Sequence, residues 1–254
     1  MTFERLLEIM ALLRERCPWD KKQTRESLTP YIIEEAYELV EAIESGDAGR
    51  VREELGDLLL QVVFQSRIAE EAGEFTAYDV IEAIGGKMVH RHPHVFGSMT
   101  CETPEEVVEQ WEERKKEEGK LRSSILEGIP GGMPALLRAH RLQSRAAKVG
   151  FDWPDLSGVL GKLDEEIGEF KEALDTHDPA RVEDELGDVL FALVNVSRFV
   201  EVNPEDALRK TIDRFIARFR HIEMAAESAG VPLREMTLDE MDRLWDEAKK
   251  LERG

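Results

Sequence analysis

Apolar residues recur at three- and four-residue spacing along most of the chain, and alternation of β-branched residues is scarce. That period matches the turn of a helix rather than the two-residue repeat of a strand. The clearest stretches are "IIEEAYELVEAI" (32–43), "EELGDLLLQVVFQSR" (53–67), "LDEEIGEFKEAL" (163–174) and "DELGDVLFALVNVSR" (184–198). Turn-forming clusters separate them in pairs, "ESGDAG" at 44–49 and "THDPA" at 176–180. In "ALDTHDPARVEDEL" one helix ends, Pro179 sits near the start of the next, and a second helix runs on. The fold class expected is all-α, built as helical bundles.

The same plan occurs twice. Residues 32–43 pair with 163–174 and residues 53–67 with 184–198, both at an offset of 131. Further on, "KMVHR" (87–91) lies over "RFIAR" (214–218), giving a basic pair at i and i+4 in each, and "WEERKKEE" (111–118) lies over "WDEAKKLE" (245–252). Small drifts in offset are what loop insertions produce, and four matches in one order point to tandem domains rather than shared composition. The expected organisation is a domain over 1–120, a linker over 121–134 within the turn-rich "GKLRSSILEGIPGGMP" (119–134), and a second domain over 135–254.

Composition narrows the chemistry. With 34 Lys and Arg against 54 Asp and Glu, the formal charge of −20 argues against nucleic acid and against an anionic membrane surface as partners. It leaves phosphate ligands open, because metal ions bridge acidic sites to anions. Cys17 and Cys101 form no CxxC pattern, so a disulfide framework is not expected. The N-terminal stretch lacks a signal-peptide core and no apolar run reaches membrane-spanning length, so a cytoplasmic protein is expected.

The acidic positions carry the site. Glu166 and Glu169 are three apart and share a helix face, as do Glu185 and Asp188. The first pair precedes the turn near Asp178 and the second follows it by a similar count, so in an antiparallel hairpin the two pairs stand level. The first copy repeats this with Glu35, Glu38, Glu54 and Asp57 around the turn at Gly46–Asp47. Four facing carboxylates repel unless cations neutralise them, and hard oxygen donors in that number suit Mg2+ or Mn2+. A mid-helix glycine, Gly56 or Gly187, splits each second pair and suggests close helix approach there. The apolar run Val189–Val196 beside the second box is expected to be buried.

With "EEAYE…EELGD" and "EEIGE…DELGD", the chain resembles the MazG family of nucleoside triphosphate pyrophosphohydrolases. "CPWDKKQT", "SLTPYIIEEAYE" and "HRHPHVFG" (90–97) are also similar to its two-domain members. The resemblance implies hydrolysis of a nucleoside triphosphate to the monophosphate and pyrophosphate, with Mg2+, in a homodimer. It implies Glu166, Glu169, Glu185 and Asp188 as metal ligands, with Glu35, Glu38, Glu54 and Asp57 as first-copy counterparts. It assigns phosphate contacts to Arg214 and Arg218, and to Lys87 and Arg91 in the first copy. Glu34 and Glu165, which open each EExxE, are the candidates to orient or deprotonate the attacking water.

Other residues refine that expectation. Trp245 and Trp111 offer faces for a base, though a helical tryptophan more often anchors a core. Asn195 stands where the first copy has Phe64; a buried Asn needs a partner, which a nucleotide or ligating carboxylate would supply. On Asn195 and Trp245 the second copy is expected to hold the main site. Against this, second domains of the family commonly read "KxNxKF", whereas this chain has Ile212 and Arg214 in "KTIDRF". His90, His92 and His94 alternate around a proline without a cysteine, which reads as a loop rather than a zinc site. The alternatives are a related pyrophosphohydrolase dedicated to phosphoribosyl-ATP or a pyrimidine dNTP, and a non-catalytic helical dimer that binds nucleotide or a partner.

Overall fold

The computed structural model describes residues 1–104, 106, 107, 110, 111, 114 and 124–252. Among them there is no strand, and the fold is all-α. The chain divides into two compact units, Met1–Leu121 and Arg122–Gly254. Residues 121–123 of the expected linker, and Glu112, Glu113 and 115–118 of the fourth sequence match, lie outside the described residues.

The first unit runs through α1 (Phe3–Arg16), α2 (Thr29–Ser45), α3 (Ala48–Glu71), α4 (Ala77–Arg91) and the short α5 (Pro93–Phe96). Phe3, Leu6, Leu7 and Met10 recur along one face of α1 and pack with Leu28, Leu60, Val63, Phe64 and Ile68. The second unit runs through α6 (Ala135–Ala147), α7 (Leu156–Thr176), α8 (Pro179–Phe199), α9 (Pro204–Ala229) and α10 (Leu238–Leu251). Its buried positions include Val159, Ala173 and Val194. These are the counterparts of buried Leu28, Ala42 and Val63 in the first unit.

The repeat is most exact at the hairpin turns. Ser45 Oγ donates to the Ala42 carbonyl and accepts from Asp47 N, and Thr176 Oγ1 does the same with Ala173 and Asp178. Asp47 and Asp178 then cap the following helices through Gly49 N and Ala180 N. The preceding helices end left-handed, at Gly46 (φ 70°) and at His177 (φ 56°). The arginines at equivalent positions of α1 and α6 each hold two backbone carbonyls, on segments that do not correspond. Arg14 of α1 donates to the carbonyls of Asp20 and Gln23, and Arg145 of α6 to those of Ile125 and Glu127.

Two expectations are corrected. A Cβ added at Gly56 or Gly187 would meet nothing within 4 Å, so neither glycine serves close helix approach. That role falls to Ala42 and Ala173, which are wholly buried near the turns. The run Val189–Val196 is not a buried segment: Ala192 and Val194 are buried, whereas Leu190, Phe191 and Leu193 are exposed. In one chain α8 packs against α7 and α6 only along part of its circumference, and the rest of its apolar surface faces solvent.

Cys17 and Cys101 are both free thiols. Among the described residues no helix is long and apolar enough to cross a membrane.

Candidate functional site

Closing each hairpin sets the expected carboxylates against one another. In the second unit, oxygens of Glu166, Glu185 and Asp188 lie within 4.8 Å of each other; in the first, those of Glu35, Glu38 and Glu54 do so. Each box therefore converges on three of its four members, and a different fourth stands apart: Glu169 in one, Asp57 in the other. The outliers are still felt. Burial, then Glu166 and Glu185, pushes the Glu169 carboxyl above its ordinary range. Burial and the charge of Asp57 do the same to Glu35, and burial with Glu38 to Glu54.

Glu166 is the best-buried ligand candidate, 7% exposed, and its Oε2 has no hydrogen-bond partner. Its Oε1 receives the Lys162 ammonium at 2.8 Å. Lys162 also donates to Glu165 Oε1 at 2.7 Å, and the two carboxylates push its pKa well above the usual lysine range. Lys162 is a residue that the sequence pattern does not single out. Its signal was the spacing of four from Glu166, which on an exposed helix face marks an ordinary surface pair. The first copy has Tyr31 at that position, its ring against Trp19. Glu165 is thus held at the rim of the box by Lys162, and Glu34 is exposed on α2.

The basic and aromatic candidates gather on other helices. Arg218 of α9 lies 5.4 Å over the Trp245 ring of α10, and Arg91 lies 5.4 Å over Trp111. The two copies thus build the same arginine–tryptophan stack. Phe215 also packs on Trp245, at 5.2 Å and tilted. Arg214 is exposed and donates to Thr211 Oγ1, Ile212 is exposed, and Lys87 is exposed on α4. Because α9 packs on α10 and α6 while the acidic hairpin is α7–α8, the two sets of candidates sit on different helix pairs of the unit.

Asn195 has a partner other than the expected ones. Its Oδ1 accepts from Nε and Nη2 of Arg198, which also grips Asp152. Its first-copy counterpart Phe64 is buried in the core beneath the Arg14 guanidinium. His92 Nδ1 is bonded to the Met88 carbonyl, and no histidine joins either carboxylate cluster.

Tandem all-α units, each with an acidic trio spanning a helix hairpin and an arginine–tryptophan stack on other elements, define a duplicated helical scaffold. Comparison with known proteins places it. The model of the MazG nucleotide pyrophosphohydrolase domain matches residues 23–96 and again 157–223. The nucleoside triphosphate pyrophosphohydrolase/pyrophosphatase MazG of Thermotoga maritima is 48% identical over 97% of this chain and 95% of its own. The nucleoside triphosphate pyrophosphohydrolase of Escherichia coli K12 is 42% identical over 98% of this chain and 97% of its own. A crystal structure of a mazG-related protein from Thermotoga maritima covers 44% of this chain and 98% of its own, with 32% identity and a TM-score of 0.40. The chain belongs to the MazG nucleotide pyrophosphohydrolase family, and it is an enzyme of that family.

Proposed function

We propose that this protein hydrolyses nucleoside triphosphates to monophosphate and pyrophosphate with Mg2+, accepts several bases, and uses the second unit as its main site. The observation that carries the reading is the Glu166–Glu185–Asp188 trio, together with a buried Glu166 Oε2 that has no hydrogen-bond partner. A buried carboxylate oxygen without a donor is unfavourable unless something else satisfies it. Glu166, Glu185 and Asp188, with Glu169 beside them, would hold a divalent cation; Glu35, Glu38, Glu54 and Asp57 are the first-unit set. When bound, such an ion supplies charge neutralisation and Lewis acidity toward phosphate oxygens. Glu165, with Glu34 as its first-unit counterpart, is assigned the role of orienting or deprotonating the attacking water. Arg214 and Arg218 supply the positive charge that the triphosphate needs beyond the metal.

The preference for the second unit rests on the burial of Glu166 alone, since each trio otherwise has a half-buried and an exposed member: Glu185 and Asp188 in the second, Glu35 or Glu54 and Glu38 in the first. Asn195 no longer supports it, since its oxygen is already engaged by Arg198.

A homodimer completes this reading. Leu55, Leu59 and Val62 on α3 and their counterparts Leu186, Leu190 and Leu193 on α8 are each 42–52% exposed. The same apolar stripe left open twice, on the helices that carry the carboxylates, fits an interface that brings further helices to the site.

Pyrophosphate release from a panel of nucleoside triphosphates, with and without Mg2+, tests the activity. Glu185→Gln or Asp188→Asn is expected to remove most turnover, at least the roughly 10- to 100-fold that loss of a group supporting a metal ligand costs, while Glu54→Gln leaves a substantial fraction. Loss confined to the first-unit variants would reverse the assignment.

A further inference from the structure

Glu252, at the C-terminal cap of α10, grips one edge of Arg218. Nε donates to its carboxylate at 3.0 and 3.2 Å, and Nη2 donates at 2.6 Å. The same guanidinium rests over the Trp245 indole. Trp245 and Glu252 are seven residues apart, two helical turns, so one face of α10 supplies both the floor and the clamp. The side chains are 18% and 32% exposed, which sets the pair apart from a freely solvated surface bridge. Arg214, one turn earlier on α9, is exposed and bonded only to a threonine hydroxyl among the described contacts.

The geometry decides what Arg218 can still do. A guanidinium carries five N–H groups. Glu252 takes one from Nε and one from Nη2. Three remain; one on Nη1 points back toward Cδ, and the other on Nη1 and the second on Nη2 lie side by side along the other edge of the fork. That edge matches two oxygens of one phosphate.

We propose that Glu252 is a positioning residue for nucleotide hydrolysis: it locks Arg218 against Trp245 with one edge occupied and the other presented to a substrate phosphate. The proposal rests on the reading that Arg218 contacts the triphosphate. Without the clamp the long side chain samples many rotamers, and binding must then order it. The loss falls on substrate capture rather than on the chemical step.

Steady-state pyrophosphate release by full-length Glu252→Ala, Glu252→Gln, Arg218→Ala and the double variant Arg218→Ala/Glu252→Ala tests this. Glu252→Ala raises KM roughly three- to tenfold, about the range of one partly screened ion pair, with kcat little changed. Glu252→Gln, which keeps one acceptor oxygen, falls between it and the parent. The double variant is no worse than Arg218→Ala, because the clamp acts through that arginine. A parental KM in Arg218→Ala overturns the role of Arg218 itself. A raised KM there with a parental KM in Glu252→Ala overturns the clamp alone. A lowered KM in Glu252→Ala shows Glu252 competing with substrate and also overturns it. Should Glu252→Ala fail to fold, the near-isosteric Gln variant carries the comparison.

Discussion

Lys162 occupies, in the second trio, the place of a counter-ion. Its ammonium neutralises Glu165 and Glu166 from within the same helix, at 2.7 and 2.8 Å. A divalent ion held by the trio would share Glu166 with this ammonium, and repulsion between the two cations would oppose its binding. Replacing Lys162 by Met should therefore lower the melting temperature of the metal-free protein and enlarge the rise that Mg2+ produces. Melts across a Mg2+ titration read both effects; an unaltered Mg2+ response would show that the ammonium does not stand in the ion's way. The carboxylates themselves were legible, since spacing of three fixes a shared helix face. The ammonium was not, because only the burial of Glu166 in the closed hairpin separates it from an ordinary surface lysine. Asn195 likewise has a partner that its spacing does not single out: Arg198, three residues on, which also grips Asp152 of the segment after α6.

The hairpin is the element that makes the site, and its turn is where the two copies differ in quality. Gly46 takes a left-handed conformation without a Cβ penalty, whereas His177 takes it with one. His177→Gly should stabilise the second unit by about 1 kcal/mol, a few degrees in Tm. A lower Tm would mean that the imidazole bond to the Asp175 carbonyl outweighs the backbone strain. Turn composition alone located both hairpins, because Asp, Pro and Gly clusters signal a break whatever the tertiary context. The close approach of the helices was placed at the wrong residues. A glycine in a helical pattern invites that reading, yet the contact comes from Ala42 and Ala173, whose burial no local pattern announces.

At the scale of the molecule, the tandem plan was readable because a fixed offset survives in sequence even where loops drift. What no single-chain sequence pattern showed was how much of the apolar run stays uncovered. Leu190→Glu with Leu193→Glu places two charges on the exposed stripe of α8, and an interface there would have to desolvate them. The parent chain is expected to sediment as a dimer at micromolar concentration and the double variant as a monomer, with helix content kept. A parent that sediments as a monomer while turning over substrate would remove the stripe as an interface.

The two trios draw on their hairpins with opposite polarity. The first takes Glu35 and Glu38 from the helix before the turn and Glu54 alone from the helix after it; the second takes Glu166 alone from before and Glu185 with Asp188 from after. Matching the copies position by position therefore overlays a member of one trio on the residue beside the other, Asp188 on Asp57 and Glu38 on Glu169. Aligned carboxylates are thus arranged differently in the two copies, however strict the offset. Within this one chain, equivalent residues are not interchangeable parts.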